Sequence, residues 1–209
     1  MLSAQTPGPD VTATVSYETR TLGPDGVEKI ARFSERLIRT SRHVWTQRIV
    51  PPGARHEAHA DPHIHASDLS TASKHISLDD KGATQLSFVR SDLHTVIQTE
   101  PRDFNQLGFD GRFASARSLI DPQQIKSMKR MTRRSKVANA TWYEAKQNRQ
   151  FLRVLWSQPL ELALEVESGT DDLSRFSRTW VVLEKPKRTA QPWDQLQSYA
   201  QRDYVDLLD

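Results

Sequence analysis

Four of the seven histidines in this 209-residue chain lie within ten residues, in the stretch RHEAHADPHIHASD at positions 55–68. His63 and His65 stand at i and i+2, a spacing that sends both imidazoles to one side of extended backbone. Pro62 favours that backbone at a strand start and keeps Asp61 out of the helical region. His59 and His56 lie four and seven residues before His63, on a stretch able to fold back. Neutral imidazole is the common ligand of zinc, copper, nickel and iron. Three histidines, or two with Asp61 or Glu57, leave an open coordination position of the catalytic or exchangeable kind. The expected chemistry is therefore copper or zinc binding through His63 and His65, with His59 third and His56 or Asp61 in reserve. Haem ligation by one of these histidines is a variant. The alternative is a solvated polar loop after Pro51-Pro52-Gly53. His75 and His94, on neighbouring predicted strands, are further candidates to complete a site, whereas His43 beside Trp45 reads as structural.

Charge supplies a second signal. Lys126, Lys129, Arg130, Arg133, Arg134 and Lys136 make KSMKRMTRRSK strongly basic. Such a run can hold a phosphate, an anionic lipid surface or an acidic partner. It can equally be a solvated helix face whose cations suit the helix C-terminus. No aromatic residues interleave with it to stack on bases, which argues against nucleic acid. Four of the five tryptophans (Trp45, Trp142, Trp156 and Trp180, but not Trp193) fall on predicted strands, where core packing or cavity lining is their ordinary use.

No Ser-His-Asp order, phosphate loop or paired-carboxylate motif stands out. The expected function is thus non-enzymatic: an exported, periplasmic metal-binding accessory protein serving a redox or metal-handling partner. Two readings compete with it. One is a carrier or binding module for an apolar ligand such as a lipid; the other is a structural subunit docking through the basic helix.

Composition sets the bounds. Hydrophobic residues make up 36% of the chain, mean hydropathy is −0.65, and lysine plus arginine exceed the acids by 29 − 26 = 3. No run of about 18 apolar residues exists, so no segment reads as a membrane-spanning helix. The lack of cysteine removes disulfides, thiolate metal sites and cysteine nucleophiles, and leaves the redox compartment open. Leu2-Ser3-Ala4-Gln5 looks like the small-residue end of a removed export signal.

The elements that must position these residues are mostly strands. Residues 1–10 read as a flexible lead and 11–209 as a single β-rich domain. Val11, Ala13, Val15 and Tyr17 alternate with polar neighbours, the period-two pattern of a half-buried strand, and Gly23-Pro-Asp-Gly26 supplies turn chemistry for a hairpin. Residues 27–39 fit either period; the preceding turn favours a strand. Further strands are expected over 43–50, 74–78, 84–90, 93–99, 141–145, 151–156, 160–167 and 176–184, with turns at Asp79–Gly82, Gly108–Gly111 and Gly169–Asp172. Asp121-Pro122 starts a helix over 122–135, and Trp193, Leu196, Ala200 and Leu207 suggest another over 192–208. The fold class is mainly β (α+β): a curved antiparallel sheet or half-barrel with one or two packing helices.

The late strands Trp142-Tyr-Glu-Ala, Phe151-Leu-Arg-Val-Leu-Trp156 and Leu160-Glu-Leu-Ala-Leu-Glu-Val-Glu-Ser168 resemble those of the lipoprotein-sorting carrier family, the LolA/LolB-like half-barrels. The hairpin around Gly23–Gly26 sits where such half-barrels have one. The resemblance covers about half the chain and implies a curved antiparallel sheet closed by helices over an apolar cavity, in the bacterial periplasm. It includes neither the histidine cluster nor any functional residue. The string Pro52-Gly53…His59…His63-Ile-His65 is also similar to a cupin metal motif, but Leu69 stands where that motif wants Glu, and no second motif follows.

Overall fold

The computed structural model describes residues 8–50, 69, 71–185 and 190–207. Alternating apolar and polar residues make β1 (Val11–Leu22), β2 (Glu28–Arg39), β3 (His43–Ile49), β4 (Ser73–Leu78), β5 (Thr84–Arg90) and β6 (Thr95–Gln98), each antiparallel to the next. A second meander follows: β7 (Lys129–Arg130), β8 (Ala140–Gln147), β9 (Gln150–Ser157), β10 (Leu162–Thr170) and β11 (Arg175–Leu183). The meanders join where β11 pairs with β1, Val15 opposite Val181. The last strand, β12 (Ala200–Asp203), lies parallel to β6. The result is one open sheet with the order β12-β6-β5-β4-β3-β2-β1-β11-β10-β9-β8-β7.

The ambiguous segment 27–39 is a strand along most of its length. Gly26, at φ +77° in the turn before it, takes a conformation that other residues rarely adopt.

Two expected helices differ. The helix expected over 122–135 spans only Pro122–Ser127 (α2), started by Asp121, whose carboxylate accepts from the Gln123 amide at 2.9 Å. The chain then turns extended into β7, because the Met131 amide bonds to the Trp142 carbonyl at 2.9 Å and so joins the sheet. The helix expected over 192–208 is instead short turns at Leu196–Ser198 and Val205–Leu207 flanking β12. There Tyr199 is buried and Ala200 exposed, the reverse of what a helical stripe would require. A helix not anticipated, α1 (Phe113–Ser118), precedes α2.

One face of β1–β6 carries Val15, Leu37, Val44, Ile76, Leu86, Phe88 and Ile97, all buried. Phe104, Phe109, Phe113 and Leu119 pack on this face, from a segment whose only regular structure is a turn at Pro101–Asp103 and α1. A neighbouring cluster beneath α2 joins Ile125 and Met128 to Val154, Trp156 and Ala163. On the opposite face of β3–β6, Trp45, Val89 and Val96 are covered by Trp193, Leu196 and Tyr199 of the C-terminal segment.

Candidate functional site

The five residues at the head of the metal expectation, His63, His65, His59, His56 and Asp61, lie outside the described residues, in the connection between β3 and β4. Among the described residues, no group of three or more metal-ligating side chains is gathered. The remaining histidines lie on or beside the sheet. His75 faces Trp45 across β3–β4, and its Nε2 lies 3.0 Å from Nδ1 of His43. Trp193 lies flat against both rings, with centroids 4.7 Å from His43 and 5.9 Å from His75. Burial, and then the neighbouring His43, hold His75 down at about 4; burial, then Arg42, also lower His43. His94 does not join them in that bond and lies against the Tyr199 ring at 5.1 Å.

The basic run is divided by the fold. Arg133 is committed: it donates to both Glu167 carboxylate oxygens at 3.1 Å and lies over the Trp142 ring at 3.8 Å. Lys126 lies in the last turn of α2, Lys129 and Arg130 form β7, and Arg134 and Lys136 follow. A docking helix is therefore corrected to a short helix end, an edge strand and a loop. Arg130 and Arg134 line a cleft of 590 Å³ together with Thr132, Ser135, Val137 and Thr141.

Elsewhere the sheet pairs its charges. Glu144, Arg153, Glu167, Arg178, Glu18 and Arg32 stand directly opposite one another across six successive strands, the arrangement in which opposite charges stabilise neighbouring strands. Arg32 and Arg20 each donate to Glu18 at 2.6 Å and hold its carboxyl below the usual range. Arg153 donates to Glu144 at 2.8 Å.

Sequence reasoning missed one cluster altogether. Arg39, at the end of β2, has no solvent-exposed surface. Its guanidinium donates to the carbonyls of Arg117, Leu160 and Glu161. Arg117, also buried, donates to Glu161 at 3.0 Å and to the Gly8 carbonyl. Burial, then the neighbouring Arg117, bring Arg39 down to about 10. Nothing in the sequence marks Arg39, because an arginine closing a strand that also carries Arg32 and Arg36 reads as surface.

The described residues thus define an open half-barrel with one apolar face, a covered second face and a basic edge. No family model and no curated protein matches the chain. Among solved structures it is similar to PNGF-II, at 11% identity and TM-score 0.45, covering 94% of this chain but only 33% of that one, so it spans about a third of that protein's length. It is also similar to a LolA superfamily protein from Nitrosomonas europaea, at 9% identity and TM-score 0.40 over 91% of each chain. A third likeness is to an outer membrane lipoprotein-sorting protein domain from Vibrio parahaemolyticus, at 8% identity and TM-score 0.35, covering 91% of this chain and 90% of that one. The last two bear the name of the family that the late strands resemble.

Proposed function

We propose that this protein is an exported carrier or binding module for an apolar ligand such as a lipid, taken up between the apolar face of β1–β6 and the segment that covers it. The observation carrying this reading is the mismatch between the two surfaces. Six strands contribute buried apolar side chains to one continuous face, while the cover has little regular structure apart from a turn and one six-residue helix. Segments with few regular hydrogen bonds open locally at low free-energy cost, and here opening exposes apolar surface. The ligand takes the place of Phe104 and Phe109, which fill the face in the closed form. A fluorescent fatty acid is expected to bind saturably, and Phe109→Ala, which removes a side chain the ligand must displace, to raise its apparent affinity by about tenfold, the scale of one buried aromatic side chain partly replaced by ligand. If fatty acid, lysolipid and diacyl lipid all fail to bind saturably, the reading is wrong.

The histidine cluster supports a second reading, resting on its spacing: copper or zinc bound through His63 and His65, with His59, His56 or Asp61 completing the site, for delivery to a redox or metal-handling partner. Replacing His63 and His65 together by alanine is expected to abolish binding while leaving the thermal transition unchanged. Imidazole must be neutral to ligate, and its ordinary pKa is about 6.5, so affinity should fall steeply from about pH 7 to pH 5. Metal analysis of untagged protein decides it: stoichiometry far below one after adding copper or zinc removes this reading.

A further inference from the structure

We infer that the edge formed by the end of α2, β7 and the following loop docks the protein onto an anionic lipid surface, which rests on the carrier reading because an apolar cargo must enter or leave a membrane. Residues 122–143 hold six cations and no acid, while the whole chain is only +3, so the remainder sums to 3 − 6 = −3. The positive charge is therefore local to one edge. It is also unspent: apart from Arg133, held by Glu167, none of these cations takes part in an ion pair among the described residues. That contrasts with the adjoining strands, where arginine after arginine is matched to a carboxylate. The edge lies at one end of the sheet, away from the C-terminal cover, so a flat surface can approach it. Val137, 45% exposed, sits beside Arg134 and Lys136. Arg130 and Arg134 with the Thr132 hydroxyl line one cleft, a donor set suited to a phosphate headgroup. Clustered cations near an anionic membrane each add to binding, and the attraction is screened by salt.

The test is co-sedimentation of the full chain with phosphatidylcholine vesicles, with and without phosphatidylglycerol. Binding is expected only to the anionic vesicles and should weaken as salt rises. Reversing Lys126→Glu, Arg130→Glu, Arg134→Glu and Lys136→Glu together should lower partitioning by at least about 100-fold, with fatty-acid binding unchanged. That retained binding separates failure of this inference from failure of the carrier reading. Should the quadruple variant not fold, the salt and lipid dependence of the unaltered chain decides alone. Equal binding to neutral and anionic vesicles, no binding to either, a folded variant that partitions normally, or a preference for poly-glutamate over anionic vesicles would overturn it.

Discussion

Replacing Arg39 by methionine is expected to destabilise the fold by about 3–5 kcal/mol, the scale for removing one partner from a buried polar network. The side chain is fully buried and serves three carbonyls on two separate segments: Arg117 at the end of α1, and Leu160 and Glu161 in the turn before β10. Methionine fills similar volume but offers no donor, so each carbonyl is left unsatisfied at about 1–3 kcal/mol. One effect works in the opposite direction, since Arg39 and Arg117 repel and their removal from each other's field is favourable. The three lost hydrogen bonds outweigh it. Arg39→Lys keeps the charge but not the planar fork, and should fall between methionine and the unaltered chain. Urea denaturation measures both variants, and a loss below about 1 kcal/mol for methionine would show that the carbonyls find other partners.

Acid should loosen the C-terminal cover. His75 is 8% exposed and held at about 4, below its ordinary 6.5. A histidine whose folded pKa is depressed contributes stability that is complete above the unfolded value and is lost as pH falls towards the folded one. The window is therefore pH 6.5 down to about 4, and the stability lost across it is roughly 3 kcal/mol. His43 adds in the same direction, with Arg42 opposing and Asp194 favouring its protonation. Both rings lie under Trp193, so the change should appear first as altered tryptophan fluorescence. Replacing His75 by phenylalanine should flatten the pH dependence of stability in that window. An unaltered slope would assign it to carboxylates instead.

The first strand was legible because it alternates against a buried face. Val11, Ala13 and Val15 are buried where the period-two reading placed them, and the hairpins follow their turn residues. The pattern broke at β10, where Leu162, Ala163 and Leu164 are all buried around an irregularity in the pairing with β9; a bulge shifts the period without leaving a compositional mark. The C-terminal segment misled because Trp193 and Leu196 have helical spacing, yet they serve a sheet face which the chain reaches only by tertiary contact. Of the candidate sites, the basic run was visible as composition, but its division between Arg133 and the free edge depends on Glu167 and Trp142, which lie on other strands. The pairing of His43 with His75 depends on strand register, which spacing along the chain does not reveal.

The pairing of β1 with β11 sets an order on how the chain comes together. Ala13 is opposite Leu183, so β1 meets this second neighbour only across 183 − 13 = 170 residues of chain. The two meanders consist of local hairpins that close early, whereas the seam between them spans most of the chain, and contacts so distant in sequence form slowly. Until then one edge of β1 stays open, with Val15 awaiting Val181. Thr12, Thr14 and Ser16 alternate with the apolar residues along it, so the half-made sheet waits with hydroxyls on one side of that strand and its apolar residues on the other.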